Sequence, residues 1–474
     1  MIKLLQLGGT SNLIILKSQS HRLFSQLHKQ KLLVKYLNVT HYLQPFKRNY
    51  ATSEVSKVKS ESRKRLVILG TGWSSYSVLK TVNKNIYDVI VISPRNHFLF
   101  TPLLASTTVG TLEFRSIIEP VRNTGFRDSA HYHLSYATHL DTKKQEINCT
   151  SVLKPSLQYS LRYDKLVIGV GALTNTFGVP GVQENAFFLK EIADARRIRN
   201  RILNNFELSV QPNIDPKEQQ RLLQIVIVGG GPTGVEFGAE LYDFVEQDLV
   251  RLYRQQSKQV RVTLVESNKI LSSFDTRLQA YAERKMKQRK GFNILQTTVI
   301  EVKPDSVKLK DGTSIPCALV VWSTGLAPRD FTKTLNLTKN KSGQIITDRY
   351  LRVIGESAKN IFAIGDCADI EEMSLPCTAQ VAERKGRYLS KFLNSDCNEE
   401  KVGPFEFKSL GMLAYIGHFQ GVSDTPQLKI KGVASWFLWR SAYLTRLGSW
   451  RLRMQVPLDW TKTILFGRDI SRIE

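Results

Sequence analysis

The sequence contains no apolar run of the roughly 18 residues or more that a membrane-spanning helix requires. It therefore predicts a protein without transmembrane helices. Cysteine is also scarce, because the five cysteines form no C-x-x-C pair and an odd number does not suit a disulfide framework. We expect reduced, mostly structural thiols and no metal site.

Acidic residues are absent from residues 1–53, which carry eight lysines and arginines. A basic, acid-free, amphipathic N-terminus is typical of a mitochondrial transit peptide. The tripeptide Arg48-Asn49-Tyr50 before Ala51 resembles a processing site. The alternative is a disordered basic arm. We predict a transit peptide over 1–50 and a polar linker over 51–64.

The chain as a whole is basic, with 67 lysines and arginines against 42 acidic residues and a net charge of +25. Nucleic acid is one partner for such a surface, but no recognition motif is present and we expect no nucleic-acid binding. An anionic membrane surface fits the sequence better. Four of the six tryptophans lie after residue 405, interleaved with arginines and a lysine, which is typical of an interfacial membrane anchor.

Within this C-terminal segment, residues 433–447 have helical periodicity. Trp436, Trp439, Tyr443 and Leu447 share one face at that spacing. We interpret this face as a membrane-surface contact. A packed core helix or a homodimer interface is the alternative.

Two glycine-rich turns each follow an apolar strand. The first reads Arg65-Leu-Val-Ile-Leu-Gly70-Thr-Gly72-Trp73-Ser-Ser75, and the second reads Gln224-Ile-Val-Ile-Val-Gly229-Gly-Gly231-Pro-Thr-Gly234. In such a turn the first glycine makes a tight bend, the second lets backbone N–H groups approach a pyrophosphate, and the third position lets the helix pack closely. The pair predicts two bound dinucleotides and electron transfer between them.

The surroundings of the two turns differ. Ser75 replaces the third glycine of the first turn, and Ser93 stands where a ribose-binding carboxylate is common. The apolar segment 93–104 fits the wall of an aromatic cofactor, or a buried connection. Asp366 follows an apolar strand. Its role is either that of a hydrogen-bond partner for ribityl hydroxyls or that of a turn residue. Glu266 ends the strand after the second turn, which favours NADH over NADPH.

Glu236 lies in the first turn of the helix that follows the second glycine turn. One interpretation is a carboxylate favoured by the helix dipole. The other is a group that faces the junction of nicotinamide and flavin. The sequence pattern leaves both open.

These motifs together resemble the type II, or alternative, NADH:quinone dehydrogenases of mitochondria and bacteria. The similarity runs from about residue 65 to the C-terminus. Besides the two turns, it rests on these segments: Ser93-Pro-Arg95, Phe98-Leu-Phe-Thr-Pro-Leu103, Trp322-Ser-Thr-Gly325, Ala363-Ile-Gly-Asp-Cys367, Thr378-Ala-Gln-Val-Ala382, Phe437-Leu-Trp-Arg-Ser-Ala-Tyr443 and Phe466-Gly-Arg-Asp-Ile470.

The resemblance implies an α/β fold of two Rossmann-like dinucleotide-binding domains, in which an NADH domain interrupts a FAD domain. We expect the FAD domain over 65–214 and 326–404, the NADH domain over 215–325, and a membrane-associated module over 405–474. The implied activity is electron transfer from NADH through FAD to ubiquinone without proton pumping. The implied location is the mitochondrial inner membrane, bound peripherally, on a side that the sequence leaves open.

The resemblance also implies roles for particular residues. Glu236 matches a family glutamate near the nicotinamide, and Gln380 matches the glutamine beside the flavin at the quinone site. The expected FAD contacts are Gly70, Gly72, Trp73, Ser75, Ser93, Thr101, Pro102 and Asp366. The expected NADH contacts are Gly229, Gly231, Gly234 and Glu266.

Two other functions compete with this one. A sulfide:quinone oxidoreductase needs a reactive cysteine pair, for which Cys367 and Cys377 are the candidates, but Glu266 argues for a nicotinamide substrate. A flavoprotein similar to apoptosis-inducing factor predicts a DNA-binding surface and no stable membrane association. The tryptophan-rich C-terminus argues against that alternative.

Overall fold

The computed structural model describes residues 63–355 and 360–472. The predicted transit peptide and all but the last two residues of the predicted linker lie outside these ranges. The described residues belong to one compact unit. None of the helices within the described ranges combines the length and apolarity needed to cross a bilayer.

Seven helices of nine residues or more organise the described part of the fold. They are α1 (Trp73–Thr81), α2 (Ile192–Ser209), α3 (Pro232–Phe244), α4 (Thr276–Lys287), α5 (Ala379–Asn394), α6 (Val433–Arg446) and α7 (Trp450–Phe466). Shorter helices span Leu104–Thr107, Val182–Asn185, Pro216–Leu222, Val250–Leu252, Gln256–Gln259, Asp330–Thr334 and Glu399–Val402.

The strands are numbered in chain order. The first twelve are β1 (Lys64–Leu69), β2 (Tyr87–Ser93), β3 (His97–Leu99), β4 (Ile118–Pro120), β5 (Tyr132–Asp141), β6 (Glu146–Ser151), β7 (Gln158–Arg162), β8 (Lys165–Ile168), β9 (Ala172–Thr174), β10 (Phe187–Phe188), β11 (Gln224–Val228) and β12 (Arg261–Glu266). The others are β13 (Phe292–Gln296), β14 (Val299–Val302), β15 (Ser306–Leu309), β16 (Ser314–Pro316), β17 (Leu319–Trp322), β18 (Leu326–Pro328), β19 (Ile345–Thr347), β20 (Ile361–Ala363), β21 (Ala368–Ile370), β22 (Met412–Gly417), β23 (Gln420–Asp424) and β24 (Lys429–Gly432).

The first glycine turn belongs to a seven-stranded sheet with the order β20-β8-β1-β2-β5-β6-β7. Strands β20, β8, β1, β2 and β5 pair in parallel, and β6 and β7 extend the edge antiparallel. Residues 66–69 of the central strand β1 are buried, as expected for a parallel strand covered on both faces. Strand β20 joins this sheet after the chain has built the second sheet, so the first sheet is completed late in the sequence.

The second glycine turn belongs to a parallel five-stranded sheet with the order β10-β17-β11-β12-β13. Its edge strand β10 lies before residue 215, where we predict the inner domain to begin. The alternation of apolar and polar residues over 292–302 predicts a hairpin strand, but these residues divide into β13 in this sheet and β14 in an antiparallel sheet with β15 and β16. Alternation of apolar residues runs through both strands, so periodicity does not mark the break.

The helix after the second turn is shorter than its periodicity suggests. We expect one helix over 234–254, but α3 ends at Phe244 and a π-helix covers Val245–Leu249. The wider π turn brings Asp243 and Asp248 toward one side of the helix. Both aspartates are buried there against the C-terminal region, where Asp243 accepts from the His418 N–H and Asp248 accepts from the Arg468 N–H.

The C-terminal region is a three-stranded antiparallel sheet, β22 to β24, followed by α6 and α7. On α6, Trp436 and Trp439 are buried, and so are Leu447 just beyond the helix and Trp460 on α7. The interpretation of the face formed by Trp436, Trp439, Tyr443 and Leu447 as a membrane contact is therefore wrong, since this face packs against the protein core. Core helices and interfacial helices have the same apolar periodicity, so spacing does not distinguish them.

Candidate active site

Gly70 ends the buried strand β1 in a conformation with φ of +97°. A Cβ atom there would lie 2.5 Å from the Gly169 carbonyl oxygen, so only glycine fits. The Ser75 hydroxyl donates to the carbonyls of Leu69 and Gly169 at 3.1 and 3.2 Å. Ser75 thus joins α1 to the ends of β1 and β8 from beneath the turn.

Helix α1 begins after Gly72, which provides no side-chain cap for the first backbone N–H groups. A Cβ atom at Gly72 would meet nothing closer than the Arg95 guanidinium at 3.9 Å. The space in front of this helix end is therefore open. Uncapped N–H groups at an open helix N-terminus are suited to a phosphate.

The second turn repeats this geometry. Gly229 has φ of +109°, and a Cβ atom at Gly234 would lie 2.0 Å from the Gly229 carbonyl oxygen. Gly231 precedes α3 without a side-chain cap and has no heavy atom within 4 Å of its Cβ position. Glu266, at the end of β12, accepts from the Gly230 N–H at 2.6 Å and the Asn268 N–H at 2.9 Å. Its carboxylate is therefore held beside the turn.

A cavity of about 410 Å³ connects the two halves of the site. Its volume falls in the range typical of small-molecule and cofactor sites. Of the predicted residues, it is lined by Gly70, Gly72, Trp73, Ser93, Thr101, Asp366 and Glu236. The second nucleotide unit contributes four lining residues, Thr233, Glu236, Ser323 and Gly325. Groups from both sheets therefore face one enclosed space.

The other predicted residues do not line this cavity. They are Ser75, Pro102, Gly229, Gly231, Gly234, Glu266 and Gln380. Of the residues of the second turn, only Thr233 lines the cavity, and Ser323, just after β17, lines it as well. The Gln380 side chain accepts from the Leu410 N–H at 2.9 Å, and its neighbour Ala379 lines the cavity.

Trp73 forms part of an aromatic wall. Its indole N–H donates to the Thr101 hydroxyl at 2.9 Å, and its ring meets Phe98 edge to face with centroids 5.0 Å apart. The Ser93 and Thr71 hydroxyls are 3.1 Å apart behind the turn. These contacts support the interpretation of the 93–104 segment as a wall for a planar ring system.

Charged residues also line the cavity, and no sequence motif indicated most of them. Lys190 lies 3.9 Å from the Asp366 carboxylate, and Arg329 lies 3.8 Å from Glu191, which also pairs with Arg95. Burial lowers the pKa of the Lys190 ammonium group, and the nearby Asp366 carboxylate opposes this shift. Their positions in loops after different strands give no periodic signal, and only the fold brings them together.

Glu236 is the buried acid of the cavity. Its Oε1 atom accepts from the Tyr415 backbone N–H and from the Trp439 indole N–H, each at 3.1 Å. Burial raises the pKa of this carboxyl to about 8, against the opposing effect of these two hydrogen bonds. A carboxyl that titrates near neutral pH beside a cofactor-sized cavity is suited to proton transfer.

The cysteine pair required by the sulfide-oxidising alternative is poorly suited to its role. The Cys367 thiol is buried, donates toward the Ile364 carbonyl at 3.3 Å, and has a pKa raised to about 11 by burial. Cys377 is exposed, and partial burial of its thiol also raises its pKa. Reactive cysteines need a lowered pKa, so this geometry disfavours the alternative.

Substitution of the two turn glycines by alanine separates packing from binding. We expect Gly234→Ala to lower the melting temperature, because its Cβ atom would overlap the Gly229 carbonyl and cost about 1–3 kcal/mol. Gly231→Ala should keep the melting temperature, since its Cβ faces open space, while raising KM for NADH about tenfold by filling phosphate space. Thermal melts and NADH titrations check both. An equal loss of stability in the two variants would contradict this geometry.

Known proteins resemble this chain over almost its whole described length. The model of the pyridine nucleotide-disulphide oxidoreductase family matches residues 64–386, and that of the NDH2 C-terminal domain matches residues 410–469. The internal alternative NAD(P)H-ubiquinone oxidoreductase A1 of Arabidopsis thaliana mitochondria is 43% identical over 450 residues, or 88% of each chain. A probable NADH dehydrogenase of Dictyostelium discoideum is 44% identical over 442 residues, which cover 90% of this chain and 97% of the relative.

Among solved structures, NDH2 from Plasmodium falciparum in complex with NADH superimposes with a TM-score of 0.81 at 29% identity. The match covers 86% of this chain and 100% of the Plasmodium chain. The similarity thus includes both glycine turns and the C-terminal sheet and helices.

Proposed function

This chain belongs to the type II, or alternative, NAD(P)H-ubiquinone oxidoreductases, and we propose from its geometry how NADH, FAD and ubiquinone share the two glycine turns and the cavity between them. It is an NADH:ubiquinone reductase of the mitochondrial respiratory chain with FAD as its cofactor. The observation that carries the assignment of sites is the single cavity that residues from both dinucleotide turns line.

The residues of the first turn fit FAD. Gly70 and Gly72 leave room for a pyrophosphate at the N-terminus of α1, and the Trp73 wall is suited to a flat ring. Asp366 also lines the cavity, where its carboxylate would accept hydrogen bonds from ribityl hydroxyls. The turn at Gly229 is then the NADH site, with Glu266 as the acceptor for ribose hydroxyls and a charge that disfavours a 2′-phosphate.

FAD, when bound, supplies the group that accepts hydride from NADH and passes electrons to the quinone. The protein's part is to align the reactants and to exclude water from their junction. Helix α3 directs Thr233 and Glu236 into the cavity, so the nicotinamide end of NADH enters beside Glu236. Trp73, which is partly buried, and the buried Leu104 give the cavity part of its apolar lining.

Glu236 provides a proton for the quinone. Both N–H donors bind its Oε1 atom, which leaves Oε2 to hold the proton. With a pKa of about 8, the carboxyl is mostly protonated at pH 7. When the proton leaves, the Tyr415 and Trp439 donors stabilise the carboxylate that remains.

We assign Gln380 to the quinone side, because it follows cavity residue Ala379 in the first turn of α5 and holds the segment at Leu410.

Association with the mitochondrial inner membrane is the second part of the proposal. On α7, Trp450, Met454 and Leu458 are spaced by four residues and expose an apolar stripe that continues at Leu465. The exposed fractions, 76% for Trp450 and 63% for Leu458, are unusual for such large side chains. This stripe, rather than the buried tryptophans, is the surface that fits a bilayer interface.

Steady-state turnover tests the function. The protein, purified in detergent with its flavin spectrum recorded, should oxidise NADH rapidly with a short-chain ubiquinone and slowly without it. Failure of the quinone to accelerate NADH oxidation would refute the assigned acceptor.

Vesicle sedimentation tests the membrane stripe. We expect the double variant Met454→Asp, Leu458→Asp to bind anionic vesicles at least about tenfold more weakly, because two charges replace apolar surface at the interface. The control is Leu153→Asp, since Leu153 is 81% exposed and lies in the loop between β6 and β7, outside the stripe. Equal binding by the stripe variant and the control would contradict the proposed surface.

A further inference from the structure

A second cavity, of about 440 Å³, lies between α3, α6 and α7. Three tryptophans line it, Trp436, Trp439 and Trp460, together with Arg440 and Arg468. None of the expected FAD or NADH contacts lines it. Trp439 belongs to both sites, because its indole N–H donates to Glu236 while its side chain lines this second cavity.

Arg440 lines this cavity but forms no ion pair with any of the described residues, although the Glu240 carboxylate of the same cavity acts on it from a greater distance. Its guanidinium stacks between Trp436 and Trp460, 4.2 and 4.3 Å from the ring centroids. Its Nε atom is buried with no hydrogen-bond acceptor, and no ion pair to Arg440 occurs in the part of the chain that the structure describes. Burial lowers the pKa of this side chain to about 10, against the opposing effect of Glu240. A partly buried charge without an ion-pair partner is stabilised when an anion binds beside it.

The other charges of the cavity are already paired. Arg468 lies 2.8 Å from Asp248 and 3.8 Å from Glu240, and Arg251 lies 3.1 Å from Asp248. The carboxylates of Glu240 and Asp248 are therefore matched by the guanidinium groups of Arg468 and Arg251. Arg440 adds one further positive charge. The charge balance of the cavity favours an anion at Arg440.

The mouth of the cavity is apolar. Phe419, Ile464 and Leu465 line it, and each is an exposed large apolar side chain. Ile464 and Leu465 lie at the end of the α7 stripe described above. A ligand that satisfies both features has an anionic head beside Arg440 and a hydrocarbon chain at the mouth.

We propose that this second cavity binds the phosphate head group of an anionic membrane phospholipid, with Arg440 as its charge partner. The acyl chains leave across Ile464 and Leu465. The inference rests on the proposed membrane association only for the source of the lipid. Binding itself requires no bilayer, so it is measured separately from vesicle sedimentation.

The test uses the FAD-containing protein and dihexanoyl phosphatidylglycerol below its micelle concentration, with tryptophan fluorescence as the readout. We expect saturable binding that Arg440→Gln weakens about tenfold, since a charge-assisted contact is lost. The matched control is Arg446→Gln, because Arg446 lies exposed on the same helix outside the cavity. Equal weakening in both variants indicates surface electrostatics and overturns the site, as does unchanged binding by Arg440→Gln.

A second pair of variants guards against a folding defect at Arg440. Ile464→Glu at the mouth should also weaken lipid binding, whereas Leu458→Glu, on the same exposed stripe but outside the cavity, should not.

Inorganic phosphate and dihexanoyl phosphatidylcholine complete the comparison. Binding of free phosphate as tight as that of the anionic lipid, or equal binding of the zwitterionic lipid, would overturn the phospholipid assignment. Loss of vesicle sedimentation with retained soluble-lipid binding would instead affect only the membrane stripe.

Discussion

Replacing Glu236 by glutamine is expected to lower quinone-dependent turnover about a hundredfold, the usual contribution of a positioned proton donor. Glutamine keeps an oxygen for the Tyr415 and Trp439 donors but has no proton to give near neutral pH. Reduction of the flavin by NADH should change much less. Stopped-flow measurement of the two half-reactions separates these effects.

The pH dependence of quinone reduction follows from the raised pKa of Glu236. Burial raises the pKa of Glu236 to about 8, so the protonated, active form is lost as the pH rises through 8. We expect quinone reduction by the native enzyme to decline above that pH, and the Glu236→Gln variant to lack this limb. The control is Glu246→Gln, because Glu246 lies in the following π-helix outside the cavity. A native alkaline limb that survives in Glu236→Gln would exclude this carboxyl as the proton donor.

The same substitution should stabilise the folded protein. The pKa of Glu236 is higher in the folded protein than in the unfolded chain. Its protonated form therefore contributes fully to the free energy of unfolding below the unfolded pKa of 4.5, and this contribution is lost as the pH rises toward 8. At pH 7 the buried carboxyl therefore costs on the order of 3 kcal/mol relative to a neutral group. We expect Glu236→Gln to melt higher than the native protein at pH 7.5 and nearly equally at pH 4.5. Lower stability at both pH values would contradict the burial argument.

Replacing Asp366 by alanine should have the second large effect, loss of FAD. Among the described residues its carboxylate pairs only with Lys190, at 3.9 Å, so the fold depends little on it. Loss of two hydrogen bonds to a charged acceptor corresponds to about a hundredfold weaker cofactor binding. The purified variant should keep its far-ultraviolet circular dichroism and contain little flavin.

Asp366→Asn is the matched control, because it keeps an acceptor of the same size without the charge. We expect an intermediate flavin content and recovery of absorbance when FAD is added. Full retention of flavin by Asp366→Ala would remove this residue from the cofactor site. Loss of folded structure would mean that the Lys190 contact matters for the fold instead.

The parts of the site that follow from local geometry could be predicted from the sequence. A buried strand that ends in glycine with positive φ, as at Gly70 and Gly229, is determined by a few neighbouring residues. The order of the motifs likewise indicates two dinucleotide sites. The assignment to type II NADH:quinone dehydrogenases, with FAD and NADH, is confirmed by the comparisons.

The environment of Glu236 could not be predicted in this way. Its two hydrogen-bond donors are 179 and 203 residues away along the chain, so only tertiary packing brings them together. The buried faces of Trp436 and Trp439 have the spacing of an interfacial helix, and only the fold shows what covers them. Helix periodicity marks an apolar face but does not identify its neighbour.

The most direct test of the shared cavity is an anaerobic single turnover of the native enzyme. NADH should bleach the flavin absorbance, and a short-chain ubiquinone added next should restore it at least as fast as steady-state turnover. That result is predicted because we propose that both reactants reach one cavity, which is lined by Gly70, Asp366, Thr233 and Glu236. Flavin that NADH bleaches but quinone fails to reoxidise at that rate would contradict the account.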